Sequence, residues 1–197
     1  MILASLKPYY YYLIGERKKT IEVRKSPLKN LPQDIAFYMS KDEKSFAKIP
    51  KEFQDKYRKH FGKVGMRVVC DEVEEFHEWE LSPQGKFADF ERERLENFLT
   101  AACLSEEEVV RYRENLPYYK PLYGLHISDL KIYGKPKELS EFISPSKAKK
   151  CVDYCVNGIC SNLGYEELCG AIRRCEYKKI TRPPQNYIYV EEQENKQ

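Results

Sequence analysis

Gly15-Glu16-Arg17-Lys18-Lys19-Thr20-Ile21-Glu22-Val23-Arg24-Lys25 is the stretch on which the fold of this chain turns. Its second half, Thr20 to Arg24, alternates with period two and is rich in β-branched residues, the pattern of a half-buried strand. Ile21 and Val23 fall on one face; Thr20, Glu22 and Arg24 fall on the other. Just upstream, Pro8 opens a helix, where its missing N–H costs nothing, and Tyr9 to Ile14 carry it. Gly15 is expected to close that helix in the left-handed position after its last turn. If the helix covers the strand, Glu22 and Arg24 cannot both face open solvent. From Glu16 to Lys29, six basic residues stand against two acidic ones, a local excess larger than the +3 of the whole chain. Asp71 to Glu96 is the reverse, with ten acids against three bases. Such polarity orients a molecule on an anionic partner. Arg17 and Lys18 read as ordinary turn charges.

Outward from this stretch, strands are expected at both ends and in the middle. Met1–Leu6, Asp34–Ser40, Val64–Phe76, Tyr123–Tyr133 and Asn186–Val190 show strand patterning. Lys41 to Gly62 is polar with a short amphipathic helix around Phe53, Tyr57 and Phe61. Helical spacing of Leu95, Phe98, Leu99 and Ala102 marks Ser82–Asn115, where Ser105 and Glu108 form a capping box for a second helix. Ser144-Pro145 is expected to start another helix toward Cys155. No regular strand–helix alternation and no Gly-rich phosphate loop appears, which disfavours a doubly wound parallel sheet. The order fits an α+β protein: a small, mainly antiparallel β-barrel with flanking helices and helical insertions.

At 197 residues the chain is long enough for a full core without staples. The near balance of 34 basic and 31 acidic residues excludes a histone-like protein and an acidic solvating tail. The longest apolar or aromatic run, Tyr9 to Ile14, is far short of the roughly 20 residues of a spanning helix. Met1 to Lys7 has neither a basic region before its apolar stretch nor a cleavage site. No membrane association and a cytoplasmic location are therefore expected.

Leu6-Lys7-Pro8, Gly15 and Lys19-Thr20-Ile21-Glu22-Val23-Arg24-Lys25 together resemble the signature of the ASCH domain, a relative of the PUA RNA-binding barrel. Members carry a Gly-x-Lys-x-x-Glu-x-Arg element; here Arg17-Lys18 lengthens the turn before the lysine. Phe37–Ser40, Tyr123–Leu130 and Pro184–Val190 are similar to later segments of phage-type and bacterial members. The resemblance frames residues 1–197 as a single PUA-like domain with insertions at about 41–63, 82–121 and 145–182. It implies a cleft between barrel and flanking helix lined by Lys19, Glu22 and Arg24, with Lys7 close by. Independently of the family, an Arg fork suits phosphate or a base edge, a Lys supplies a point charge for phosphate, and a Glu accepts from an exocyclic amine or orients the Arg. The expected ligand is RNA or a nucleotide, with a protein partner as a further candidate. The alternative is a hydrolase in the same cleft, with Lys19 and Glu22 catalytic. One branch of the family is an acetylcytidine amidohydrolase with a Thr nucleophile two residues before the arginine. Glu22 stands at that position here, and Thr20 lies two residues before it. Another branch is associated with RNA cleavage, which a Lys, Glu and Arg set supports by acid–base action.

Five of the seven cysteines fall between Cys151 and Cys175. Cys151, Cys155, Cys160 and Cys175 could enclose a tetrahedral structural zinc, with Cys169 as the competing fourth ligand. The spacing equally suits a helix in which Cys151 and Cys155 share a face and Cys169 packs beside Leu168 and Ile172. An odd count without an export signal argues against a disulfide framework. His60, His77 and His126 are scattered, with His126 alone falling in a family-like strand. Trp79 and Tyr9–Tyr12 offer rings for base stacking, although packing is the commoner role of a Tyr-rich helix.

Overall fold

The computed structural model describes residues 1–77, 88–114, 116–144 and 178–192. The chain runs β1 (Ile2–Leu6), α1 (Pro8–Gly15), β2 (Ile21–Arg24), β3 (Gln33–Met39), α2 (Glu43–Phe46), α3 (Lys51–Arg58), β4 (Val64–Phe76), α4 (Ala88–Ala102), α5 (Glu106–Arg113) and β5 (Leu122–Lys137). A 3-10 turn at Leu139–Glu141 leads to β6 (Phe142–Ser144), then come β7 (Lys178–Lys179), β8 (Tyr187–Tyr189) and β9 (Glu191–Glu192). The strands expected from period-two patterning all enter one six-stranded sheet of order β2-β5-β4-β3-β1-β8. Its pairings are antiparallel except β1 with β3, which run parallel with Ile2 opposite Ile35 and Leu6 opposite Met39. The α+β, mainly antiparallel expectation therefore holds, in the form of a mixed sheet.

The sheet curls because its long arms are irregular. β4 and β5 pair from Val64–Lys137 to Phe76–Leu122 with three register shifts, and each such shift adds bend and twist. The curl brings the two ends of the strand order, β2 and the β1–β8 edge, face to face. They do not pair. Arg24 on β2 instead reaches across and donates to the Ser5 carbonyl of β1 and to the Asn186 carbonyl ahead of β8. The half-barrel is thus fastened at its seam by a side chain.

Three clusters bury the apolar faces. Inside the curl, Ile2, Ala4 and Leu6 meet Ile35, Phe37, Met39, Met66 and Val68, capped by Tyr11 and Tyr12 of α1 and Tyr57 of α3. Ile21 and Val23 turn the other way, onto Phe76, Leu95, Phe98 and Leu122, where the Phe76 and Phe98 rings stack 4.6 Å apart. On the outer face, Leu3, Ala36 and Tyr38 are covered by Phe142, Ile180 and Val190. β1 and β3 are buried on both faces, which is why they read as nearly continuous apolar runs.

Three local expectations change. Gly15 lies inside α1, and the left-handed residue is Arg17, at φ 57°. The glycine is required because a Cβ there would collide with the Tyr57 hydroxyl, which is held by Glu16 at 2.7 Å. β5 continues past Tyr133 to Lys137. Ser144, expected to start a helix, ends a strand in a small β7-β6-β9 sheet; the remainder of that expected helix, with all five clustered cysteines, lies outside the described residues.

Candidate nucleotide cleft

Strand alternation delivers Glu22 and Arg24 to the side of β2 opposite Ile21 and Val23. Lys19 arrives by a different route. The backbone N–H groups of Lys18 and Lys19 both donate to the Leu13 carbonyl, at 2.8 and 3.1 Å, so the turn after α1 folds back on the helix. Thr20 then ties the chain to α4 through its N–H and the Ala101 carbonyl. That placement sends the Lys19 side chain inward to 2% exposure. Its Nζ donates to the Ala102 carbonyl at 2.5 Å, at the C-terminal and therefore partially negative end of α4. It also lies 3.5 Å from Glu22 Oε2 and 5.3 Å from the Tyr10 ring centroid. Burial lowers the Lys19 pKa below the ordinary lysine value, opposed by the Glu22 carboxylate.

Glu22 bridges two cations. Its Oε1 sits 3.0 Å from Arg24 Nη2 and its Oε2 faces Lys19. The Arg24 guanidinium is largely committed: Nη2 also donates to Ser5 O at 2.8 Å, and Nη1 to Asn186 O at 3.3 Å. All three side chains are buried. A buried ion pair is tolerated where every lone pair and proton finds a partner; here the spare positive charge is met by three main-chain carbonyls.

Above this trio lies a cavity of about 660 Å³, bounded by the ends of β1 and β3, the start of α1, β2, α5 and residues 183–185. Lys7, Lys19, Glu22 and Arg24 all line it. Lys7, the residue preceding α1, is exposed and forms no ion pair among the described residues. Of the basic segment 16–29, Arg17, Lys18, Lys25 and Lys29 lie outside the lining; Lys18 instead donates to Tyr12 OH. Thr20 is exposed and does not line the cavity.

Several lining residues lie outside the Lys19–Arg24 motif, Tyr10 of the Tyr9–Tyr12 run among them. Tyr10 donates to Glu108 Oε1 at 3.1 Å, while the other carboxylate oxygen accepts from the Ser105 N–H to complete the capping box of α5. One glutamate thus caps the start of a helix and pins a cavity wall. Burial and then Glu108 raise the Tyr10 hydroxyl well above the usual phenol range, so it remains a donor. Arg111 and Tyr112 follow one turn later, and Lys25 Nζ lies 4.9 Å over the Tyr112 ring. The capping box announces the helix but not that its outer turns overhang the cleft. Tyr11 and Tyr12 are fully buried and unavailable for stacking. His126 sits across the sheet, its Nε2 3.3 Å from Glu74 Oε1, and His60 is buried against Tyr11 OH at 3.2 Å. Trp79 and the expected zinc ligands Cys151, Cys155, Cys160 and Cys175 lie outside the described residues. Among the described residues, no group of three His, Cys, Asp or Glu is arranged to hold a metal, and no helix is long and apolar enough to cross a membrane.

Fold and cleft define a class: an α+β protein with a curled six-stranded sheet, whose seam carries a charged cavity roofed by helices. The solved structures similar to it include the ASCH protein of Zymomonas mobilis, at 15% identity over 96% of this chain and 87% of that one, TM-score 0.45. A serine-to-alanine variant of that protein gives the same identity and coverage with a TM-score of 0.49. A tyrosine-to-phenylalanine variant gives 18% identity over 70% and 75%, TM-score 0.45. No family model and no curated protein matches the sequence.

Proposed function

We propose that this chain is an RNA- or nucleotide-recognising module of the ASCH, PUA-like kind, which takes one nucleotide into the cleft. The observation that carries the reading is the convergence of Lys7, Lys19, Glu22 and Arg24 on one cavity of about 660 Å³, a volume within the range of small-molecule sites. In this reading the ligand's base edge meets the buried trio, and its phosphate meets Lys7 and Arg111 at the mouth. The test is nucleotide and RNA binding by the wild type and Lys7→Ala across a salt series. A lost phosphate contact weakens binding and reduces the slope of log affinity against log salt by about 1. Identical affinity and slope in the two proteins would remove Lys7 from the site. Absence of any nucleotide or RNA binding would leave the cleft to a protein partner. Arg24→Ala is not a suitable probe, because that residue also fastens the sheet.

A second reading, hydrolysis of RNA or of a modified nucleoside, is favoured by one observation: a buried Lys19, its pKa lowered, beside Glu22, which is how a proton-transfer pair is tuned. Glu22→Gln separates the two readings. It retains binding in both and abolishes turnover only if Glu22 moves a proton.

A further inference from the structure

Beyond the cavity, the largest exposed rings among the described residues are Tyr118 and Tyr119, at 65% and 73% exposure. They are neighbours in a tight turn, closed by the Lys120 N–H donating to the Pro117 carbonyl at 2.9 Å. The turn is anchored from beneath. Buried Arg113 donates to the Tyr118 carbonyl at 3.4 Å, and the Leu116 N–H to the Arg113 carbonyl at 2.8 Å. Two residues further on, Leu122 is fully buried at the start of β5. The backbone is thus held while both rings face solvent, an arrangement that lowers the ordering cost of binding on them.

The turn continues from the cleft wall. Arg111 and Tyr112 on the last turn of α5 line the cavity, and Lys25 bridges Tyr112 and the Glu114 carbonyl at the end of that helix. Lys25, Arg111 and Lys120 form no ion pair among the described residues. Residues 109–121 expose two basic side chains, Arg111 and Lys120, against one acid, Glu114, while Arg113 is buried beneath the turn. Exposed aromatic faces interleaved with unpaired cations suit a strand of stacked bases and phosphates, because every base has a π-face and every linkage an anion. A protein partner needs the rings but not this excess of positive charge.

We propose that Tyr118 and Tyr119 form a stacking shelf for an unpaired base of single-stranded RNA, outside the cavity and next to the nucleotide it holds. This rests on the reading of the cavity as a nucleotide site. The ligand is then a polynucleotide spanning two contacts, and a mononucleotide fills only one.

The experiment measures fluorescence anisotropy of labelled RNA hexanucleotides of each base, beside competition by the four nucleoside monophosphates. The proteins are wild type, Tyr118→Ala/Tyr119→Ala and Tyr118→Phe/Tyr119→Phe. The alanine pair is expected to weaken hexanucleotide binding at least about fivefold while leaving monophosphate binding unchanged. The phenylalanine pair, which keeps the ring faces, is expected to bind like wild type. Equal hexanucleotide affinity in the alanine pair and wild type overturns the shelf and leaves the cavity reading intact. So does an equal loss in the phenylalanine pair, which would mean hydroxyl contacts instead of stacking. Tyr-dependent hexanucleotide binding with no monophosphate binding supports the shelf and overturns the cavity as a nucleotide site. No binding of either probe overturns both.

Discussion

Arg24→Ala should destabilise the protein through the seam of its sheet, and the structure sets the scale. The guanidinium is 5% exposed and makes three contacts, to Ser5 O at 2.8 Å, Asn186 O at 3.3 Å and Glu22 Oε1 at 3.0 Å. Removing it takes one of two cations from the buried Glu22 carboxylate, which keeps only Lys19, and leaves two carbonyls without their donor. Breaking a buried pair from one side costs about 3–5 kcal/mol. The adjoining cavity admits water to the vacated space, so the lower end, about 3 kcal/mol, is expected. For a domain of this length that corresponds to a fall in Tm of roughly 6–12 °C. Urea unfolding followed by circular dichroism would measure it, with exposed Lys7→Ala as the control expected within about 0.5 kcal/mol of wild type. Because the contacts are buried, the loss should persist at high salt. A loss below about 1 kcal/mol, or one matched by Lys7→Ala, would show that the two sheet edges do not depend on Arg24.

Gly15→Ala should cost about 1–3 kcal/mol despite the helix preference of alanine, because its methyl meets the buried Tyr57 hydroxyl; a thermal melt unchanged from wild type would contradict the packing. Burial pushes the His60 imidazole down to about 4, below its unfolded value near 6.5. Its contribution to stability is therefore complete above pH 6.5 and is lost as the pH falls toward 4, by about 3 kcal/mol; urea midpoints across that window should fall more steeply for wild type than for His60→Gln.

How far the fold could be read from residues depended on local pattern. β2 and β4 are legible because period two and β-branching coincide with burial on a defined face, and α5 because Ser105 and Glu108 carry their own cap. The parallel pairing of β1 with β3 is not legible, because patterning marks a strand and its faces without fixing the direction of its neighbour. Gly15 was a plausible helix terminator on intrinsic conformational grounds, yet the constraint is a tyrosine 42 residues away in sequence. In the site, Lys19, Glu22 and Arg24 are close in sequence and visible together. Tyr10, Glu108, Arg111 and Tyr112 join them only through the tertiary path of α1 and α5, and Glu108 already had a sufficient local explanation as a cap.

The geometry of the trio also divides the work of the cleft. Two buried cations and one carboxylate leave one positive charge over, but the Ala102, Ser5 and Asn186 carbonyls point their negative ends at those cations. The end of α4 adds the field of a helix C-terminus beside Lys19. The floor is therefore close to electrically balanced before any ligand arrives, and a phosphate brought against it would lose water without meeting an uncommitted charge. The uncommitted cations are at the rim, on Lys7 and Arg111, where solvent keeps their desolvation cost low. A ligand with a polar, uncharged edge at one end and an anion at the other fits that gradient, whereas a bare phosphate has no reason to go deep. Salt sensitivity should accordingly reside in the rim residues, and discrimination among bases in the floor.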